Sequence, residues 1–383
     1  MKITDYELFA VPPRWLFLKL ETDAGICGWG EPIVEGHTKT TRAAVEEILD
    51  SYLIGKDPME IERHWQAMYR GRHFRGGPIL MSAMGGIDQA LWDIKGKAYD
   101  APVYDLLGGR ARDRIRVYQW IGGDTPGEIA DAAEAAVDAG YRTLKLSAVS
   151  QFRRIDSPAA VDHARKRLAA VRERVGDEID IGVDFRGRVT KAMADWVATE
   201  LDPYDPMFYE EPVLPEHADA LADIAASTKV PLAIGQRLYS RWDFAPLFEA
   251  GTVDIVQPSP SHAGGISEVR KIASSAESAD VLVSLHCPLG PLSLAACLQL
   301  DMVTPNSIVQ AQSLDIHQPA DNDLLAYLAE PDVFGFTDGY VTAPEGPGLG
   351  IEVDEAVVRE QASARINWQN PIWYHDDGSV AEW

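Results

Sequence analysis

The chain has 383 residues, of which 59 are acidic and 35 are basic, and its formal net charge is −24. So acidic a surface repels nucleic acids and anionic membranes, which excludes proteins that bind those polyanions through a basic face. The length exceeds what one hydrophobic core usually supports, and it predicts two domains or one large barrel with an addition. The charge excess favours an origin in a high-salt cytoplasm, with an acidic protein from an ordinary cytoplasm as the alternative.

The three cysteines, Cys27, Cys287 and Cys297, form no C-x-x-C motif, which argues against a disulfide framework and a cysteine zinc site. The N-terminal stretch carries Asp5, Glu7 and two prolines before any apolar run, which does not suit a signal peptide. No stretch approaches the roughly 18 uninterrupted apolar residues of a membrane span. We therefore expect a cytoplasmic protein without a membrane segment.

The first part of the chain reads as strands followed by helices. The runs "ITDYELFAV" and "WLFLKLETDAGICGWGE" predict strands with a turn at residues 23–25. The runs "TTRAAVEEILDSYLIG" and "SAMGGIDQALWDIKGKAYD" carry apolar residues at three-to-four spacing and predict helices. Residues 1–110 are therefore expected to form an α+β domain that caps the rest.

From Arg116 onward, eight short apolar runs alternate with helical segments. The runs are "RVYQWIGG", "YRTLKLS", "IDIGVDFR", "PMFYEEP", "VPLAIGQ", "VDIVQPS", "DVLVSLH" and "SIVQAQS". This alternation predicts a parallel α/β sheet, and eight strands close a (β/α)8 barrel over residues 111–320. An open doubly wound sheet is the alternative, but no G-x-G-x-x-G follows the first strand. Residues 321–383, with "APEGPGLG", are expected to return to the capping domain.

Polar residues gather at the predicted C-terminal ends of these strands, where barrels of this kind carry their chemistry. They are Lys145, Ser147, Asp184, Arg186, Glu210, Glu211, Gln236, Ser259, His262 and His286. Asp184, Glu210 and Gln236 follow one another at intervals of 26 residues. Equal spacing predicts three oxygen-bearing side chains at one level on adjacent strands, which suits a hard cation such as Mg²⁺.

Several motifs in order resemble the enolase superfamily, in its mandelate-racemase-like branch, and most of all its acid-sugar dehydratases of the galactonate dehydratase type. They are "VDFRGR", "YEEPVLPE", "GQRLYSRWDF", "SHAGGISE" and "LHCPLGPLSLAACLQLD" in the barrel, and "PPRWLFLKLET", "MYRGRHFRGGPI" and "IDQALWDIKGKA" before it. The resemblance implies a modified (β/α)8 barrel with an α+β capping domain, Mg²⁺ held by acids on strands three to five, a small-molecule acid sugar as substrate and a homo-oligomer. A base removes the proton beside a carboxylate, Mg²⁺ stabilises the enediolate and an acid expels a hydroxyl.

The chain departs from this pattern at four positions of the site. Asp184 and Glu210 match metal ligands, but Gln236 stands where the resemblance implies a glutamate. Arg186 stands in place of the histidine acid, and arginine does not give up its proton in proteins. His286 matches the base, but Ser259 stands where the resemblance implies the aspartate that orients it. Ala311 stands where the resemblance implies a glutamate at the end of the eighth strand.

These departures predict weak or absent Mg²⁺ binding and a poorly oriented base, with Arg186 compensating charge beside Asp184. The expected function is an acid-sugar dehydratase with reduced or altered activity, in which His286, Arg186 and Lys145 are the catalytic candidates. A catalytically inactive homologue retained for ligand binding is the alternative. An aldolase-type barrel with Lys145 as a Schiff base is a third hypothesis.

Substrate contacts are expected from both parts of the chain. Lys145 can hold the substrate carboxylate or pair with a neighbouring acid. The other candidates are Glu211, Ser259 and His262 in the barrel, and Glu35, His37, Trp65, His73 and Arg75 in the capping loops. Asp184 and Glu210 can instead form a salt-bridge network with Arg186 and Arg188, and His286 and His262 can be structural.

Overall fold

The computed structural model describes residues 1–147, 152–320, 322–362 and 368–382. Its N-terminal part begins with an antiparallel sheet. Its strands are β1 (Ile3–Val11), β2 (Trp15–Thr22) and β3 (Cys27–Gly30), in the order β1-β2-β3. A long helix packs directly on β3. This close approach requires glycine at positions 28 and 30, since a Cβ atom on Gly28 or Gly30 would overlap the helix carbonyl oxygen of Ala90 or Gly86. The predicted strands and helices of this region are confirmed.

Four helices belong to the N-terminal part. They are α1 (Thr38–Ile48), α2 (Ile61–Arg70), α3 (Gly77–Tyr99) and α4 (Val103–Leu106), with a π-helical turn at Leu49–Leu53. Helix α3 is the one on β3, and most of its residues are buried between the sheet and the barrel. None of the helices in the described ranges is both long and apolar enough to cross a membrane.

The central part is a parallel sheet of seven strands that follow one another in chain order. They are β5 (Gln119–Ile121), β6 (Thr143–Ser147), β7 (Asp180–Asp184), β8 (Phe208–Glu210), β9 (Leu232–Ile234), β10 (Ile255–Val256) and β11 (Leu282–Val283), preceded by β4 (Ile115–Arg116). The connecting helices are α5 (Pro126–Asp138), α6 (Pro158–Val175), α7 (Lys191–Leu201), α8 (Leu221–Ser227), α9 (Arg241–Ala250), α10 (Ile266–Ser278) and α11 (Pro291–Asp301). Alternation of strand and helix is what places all strands parallel.

The predicted eighth strand is present only as isolated bridges. Parallel bridges join Ser307 to Val283 on β11, and Gln310 to Val117 next to β5, so this segment closes the barrel. A regular ladder does not form, and the side-chain amides of two glutamines supply further bonds. The Gln310 amide donates to the Leu285 carbonyl at 3.0 Å, and the Gln312 amide donates to the Tyr118 carbonyl at 3.1 Å. The structure is a modified (β/α)8 barrel with a separate N-terminal sheet.

The C-terminal segment lies against the N-terminal sheet and the bottom of the barrel. Strand β12 (Tyr340–Val341) pairs with β4, and the Tyr327 hydroxyl donates to the Pro12 carbonyl at 2.8 Å. Helix α12 (Glu355–Ala362) meets β2 through Lys19, whose Nζ is 2.9 Å from Glu355 Oε2. The segment therefore contributes to the packing of both parts.

Glu31 joins the N-terminal sheet to the barrel. It directly follows β3, is fully buried, and accepts hydrogen bonds from the backbone N–H groups of Gly290 at 2.8 Å and Ser293 at 3.0 Å. These groups lie at the start of α11, where the first N–H groups of a helix have no partner within the helix. Glu31 thus caps a barrel helix from the neighbouring domain.

We predict that Glu31→Ala lowers the free energy of unfolding by about 1–3 kcal/mol, because it leaves buried N–H groups without an acceptor. Urea unfolding followed by circular dichroism measures the loss. Glu345→Ala is the control, because Glu345 pairs with Arg110 at the surface, and it should leave the stability nearly unchanged. Equal losses in the two variants would contradict the capping role.

Candidate active site

Two of the three predicted metal-ligand positions lie side by side at strand ends. Asp184 ends β7, Glu210 ends β8, and the two residues are register partners. The prediction that Gln236 shares their level is wrong, because the register partner of Glu210 is Ala233, three residues earlier. Strand β9 ends at Ile234, and Gly235, with φ of +124°, turns the chain before Gln236.

A cavity of about 620 Å³ opens above these strand ends. Its wall includes Arg14, Glu35, His37, Tyr118, Trp120, Lys145, Asp184, Arg186, Arg188, Gln236, Arg237, Tyr239, His262, His286 and Asn370. The N-terminal loops, the barrel and the C-terminal segment all contribute to it. Its position at the C-terminal ends of the strands is where barrels of this type bind ligands.

Lys145 is paired with acids rather than free for substrate. Its Nζ donates to both Glu210 Oε1 and Oε2 at 2.7 Å and lies 3.7 Å from Asp184 Oδ2. Burial alone would lower the pKa of Lys145, but Glu210, Tyr118 and Asp184 together outweigh it and the net shift is upward. A Schiff base requires a neutral amine, so this geometry contradicts the aldolase hypothesis.

Glu210 is buried, and both of its carboxylate oxygens accept hydrogen bonds. In addition to Lys145, the Gln257 amide donates to its Oε2 at 2.7 Å. Burial and the neighbouring Asp184 raise the pKa of Glu210 to about 7, against the opposing effect of Lys145. The carboxylate therefore belongs to a closed internal network and has no exposed surface.

Arg186 sits at the edge of the cavity in an unusual backbone conformation. Its φ is +56°, a left-handed value that is uncommon for residues other than glycine, and its N–H donates to Asp184 Oδ1 at 2.7 Å. The guanidinium lies over the Trp120 ring at 4.6 Å, with Nε 3.9 Å from Asp184 Oδ2. Arg237 donates to the Arg186 carbonyl at 2.8 Å, so the turn is held from two sides.

Glu211 lies behind the cavity wall and does not line it. Its Oε1 accepts the Gly235 N–H at 2.8 Å, and its Oε2 pairs with Arg237 at 3.2 Å. Burial raises the pKa of Glu211, while Arg237 opposes the change. The predicted substrate contact is therefore not brought to the cavity, and Glu211 instead anchors the turn that follows β9.

His286 faces the cavity without a partner for its ring nitrogen Nδ1. Neither that atom nor the Oγ of buried Ser259 has a hydrogen-bond partner among the described residues. Ser259 therefore does not orient the imidazole. The backbone N–H of His286 donates to the Pro258 carbonyl at 3.2 Å, which holds the main chain and not the ring. Burial lowers the pKa of His286 well below 6.5, and His262 with the cations Lys145, Arg237 and Arg186 lowers it further.

The remaining candidates divide between the cavity and other places. His262 and His37 line the cavity, and His262 Nε2 is 3.7 Å from Glu35 Oε2, a contact between barrel and N-terminal loop. Arg75 lies outside it, over the Tyr69 ring at 5.1 Å. Ala311 is buried in a small apolar cluster inside the barrel with Tyr118, Phe208, Ala233, Ile255 and Val309.

Comparison with known proteins places this geometry in a family. Residues 12–108 match the mandelate racemase/muconate lactonizing enzyme N-terminal domain, and residues 128–357 match the enolase C-terminal domain-like family. The chain belongs to the enolase superfamily. It is 50% identical, over the whole of both chains, to proteins named D-galactonate dehydratase in Ralstonia pickettii (strain 12J) and Ralstonia nicotianae. A crystal structure of an enolase-superfamily member from Salmonella Typhimurium is 30% identical, with a TM-score of 0.88 over 94% of this chain and 98% of that one.

This superfamily chain does not present the oxygen ligands that a magnesium ion requires. Both Glu210 oxygens already accept hydrogen bonds from the Lys145 ammonium, and the third ligand position is an uncharged amide. Within the described ranges, no group of three or more His, Cys, Asp or Glu side chains is arranged for a metal ion. These residues do not fit the ion that the fold family implies, and weak or absent Mg²⁺ binding stays a prediction.

Sequence reasoning missed several residues of this superfamily site. Tyr118 and Trp120 flank the Lys145 ammonium, with ring centroids 4.9 and 5.0 Å from Nζ, and Arg237 supports both Glu211 and Arg186. Tyr118 and Trp120 alternate in "RVYQWIGG", so period two places them on one face. Gln257, which directly follows the strand in "VDIVQPS", carried no signal beyond that position.

We predict that the depressed pKa of His286 makes the protein less stable in acid. Below pH 6.5 the unfolded histidine binds a proton that the folded one excludes, so acidification favours unfolding. Between about pH 7.5 and 5.5, wild type should lose about 1.4 kcal/mol more stability than His286→Asn. Urea unfolding at both pH values measures this difference. His163→Asn, at an exposed site, should behave like wild type, and identical pH dependence in all three proteins would contradict the assignment.

Proposed function

We propose that the protein is a lyase for a galactonate-like acid sugar, in which His286 removes the proton beside the carboxylate. The observation that carries the proposal is His286 facing a cavity whose wall holds the guanidinium groups of Arg186, Arg188 and Arg237. Such a wall attracts a carboxylate and stabilises negative charge on the adjoining carbon. The 50% identity to proteins named D-galactonate dehydratase supports the choice of substrate class.

The first step is proton abstraction. Because burial lowers its pKa, His286 is a neutral imidazole at neutral pH and can accept a proton. The C–H bond breaks, its proton goes to the ring and its electron pair becomes the enediolate. A base with so low a pKa has little driving force, and its free Nδ1 leaves the ring without an orienting partner. We therefore propose a slow abstraction step.

Arg186 binds the substrate carboxylate in this proposal. Its side chain is about one-third exposed, and its plane is fixed over Trp120. A guanidinium presents parallel N–H groups that match a carboxylate in a bidentate manner. The same residue cannot donate the proton that a leaving hydroxyl needs. Elimination is therefore altered or reduced relative to a site with a histidine at this position.

A second candidate function is ligand binding without turnover. The unpartnered Nδ1 of His286 and the arginine at the acid position favour it, because both weaken the chemistry and leave the cationic wall intact. The two candidates differ in one measurable property, which is whether the hydrogen on the carbon next to the carboxylate exchanges with solvent.

We predict slow exchange of the α-hydrogen of D-galactonate, or of a stereoisomer, for deuterium when the protein is incubated with a panel of hexonates in D₂O. Proton NMR follows the exchange. His286→Asn should lower the rate by about 10²–10⁴-fold, as expected for loss of a general base. His163→Asn is the matched histidine control outside the cavity. Binding of a hexonate with no exchange would refute the lyase and support the ligand-binding function.

We predict that Arg186→His raises the ratio of dehydration to exchange, because it supplies a side chain that can protonate the leaving hydroxyl. The size of the gain should be about 10-fold or more, on the scale of general acid catalysis. The 2-keto product is measured with semicarbazide. Arg186→Lys keeps the positive charge and serves as the control. An unchanged ratio in Arg186→His would show that this position does not limit elimination.

A further inference from the structure

We infer that the Lys145 ammonium is a built-in counter-ion that takes over the electrostatic role of a divalent cation at the strand ends. In place of a bound ion, the chain itself holds Asp184 and Glu210 together. The inference concerns the folded protein at rest, and it holds whether or not the cavity converts an acid sugar. The sequence-based expectation named Arg186 as a group that compensates charge beside Asp184, and Lys145 adds a second and closer one.

The sheet register directs Lys145 toward the two acids from below. Lys145 is the register partner of Gly182, whereas the next inward residue of β6, Ser147, is the partner of Asp184. Side chains two apart on a strand share a face, so Lys145 lies one layer below Asp184 on the same face. Its long stem spans that layer, and its Nζ reaches both Glu210 oxygens at 2.7 Å.

The surroundings of the ammonium complete a closed site. Lys145, Asp184 and Glu210 are 3%, 4% and 0% exposed, so bulk water hardly solvates the three charged groups. Tyr118 and Trp120 present their rings to Nζ at 4.9 and 5.0 Å, a distance at which an aromatic ring attracts a cation. Two carboxylates and two rings therefore satisfy one ammonium group.

A magnesium ion and this ammonium compete for the same oxygens. Mg²⁺ requires its ligand oxygens at about 2.0–2.1 Å in near-octahedral geometry. Glu210 could meet that requirement only after Lys145 moved away, and a retained ammonium would repel the ion. Gln236 adds no charge in compensation, and Arg186 lies 3.9 Å from Asp184. The negative charges of Asp184 and Glu210 are balanced by the positive charges of Lys145 and Arg186. The site therefore has no net electrostatic attraction for a divalent cation.

Lys19 is also a buried lysine between two acids, but its partners differ from those of Lys145 in exposure. Its Nζ lies 2.9 Å from both Glu21 and Glu355, far from the barrel mouth. Those two acids are about one-third exposed, whereas Asp184 and Glu210 are buried. Removing the ammonium at Lys19 leaves acids that water can solvate, but removing it at Lys145 leaves two buried carboxylates in need of a cation.

The experiment compares wild type, Lys145→Met and Lys19→Met by thermal unfolding and isothermal calorimetry, with MgCl₂ or with EDTA. Wild type should bind Mg²⁺ undetectably and unfold at the same temperature in both solutions. Lys145→Met should be destabilised, bind Mg²⁺ and gain about 3 °C in Tm at 100-fold excess over Kd. Lys19→Met should lose stability without any gain from Mg²⁺.

Two results would overturn the inference. One is tight binding of Mg²⁺ to wild type, which would show that the ammonium does not occupy the role of the ion. The other is a folded Lys145→Met protein whose Tm does not respond to Mg²⁺. If that variant fails to fold, Lys145→Gln replaces it, and the wild-type calorimetry remains a decisive test. Neither result depends on turnover, so the proposed lyase activity can fail while this inference stands.

Discussion

The ion pair between Lys145 and Glu210 is the constraint on which the barrel mouth depends. Two adjacent carboxylates buried away from water repel each other unless a cation contacts them, and a parallel barrel brings carboxylates together wherever acids end adjacent strands. Lys145 hydrogen-bonds to Glu210, whereas Asp184 accepts a hydrogen bond from the backbone N–H of Arg186 and also contacts its guanidinium. Glu211 pairs with Arg237. The positions of these basic side chains thus follow from how the acids are neutralised.

Periodicity and spacing predicted the barrel, the N-terminal sheet and the gathering of Asp184, Glu210, His286 and His262 at one mouth. They did not predict the partner of Lys145, because strand register decides which layer a side chain occupies and a sequence does not display register. The regular 26-residue interval was misleading for Gln236, since β9 ends early and Gly235 turns the chain. Arg75 was misplaced because loops have no periodicity to position them.

The four departures from the resemblance act on one local charge balance. Each replacement either removes a negative charge or fixes a positive one, and one of the four, Arg186, takes part in the network in which acids and bases face one another in the barrel. Arg186 is informative here because its backbone, and not its side chain, makes the short bond to Asp184. The turn can therefore be retained while the chemistry of the side chain changes, which is how one fold supports different activities.

The cavity wall has a consequence for how such a protein can diverge. Asn370 lies near the end of the chain, lines the cavity, and would be 3.1 Å from a Cβ placed on Gly36 in the N-terminal loop. That loop also carries Glu35, which contacts His262 of the barrel. Ligand shape is thus set partly by two peripheral segments that carry no barrel strand. Substitutions in these segments can change which sugar acid fits without altering the reacting groups at the strand ends.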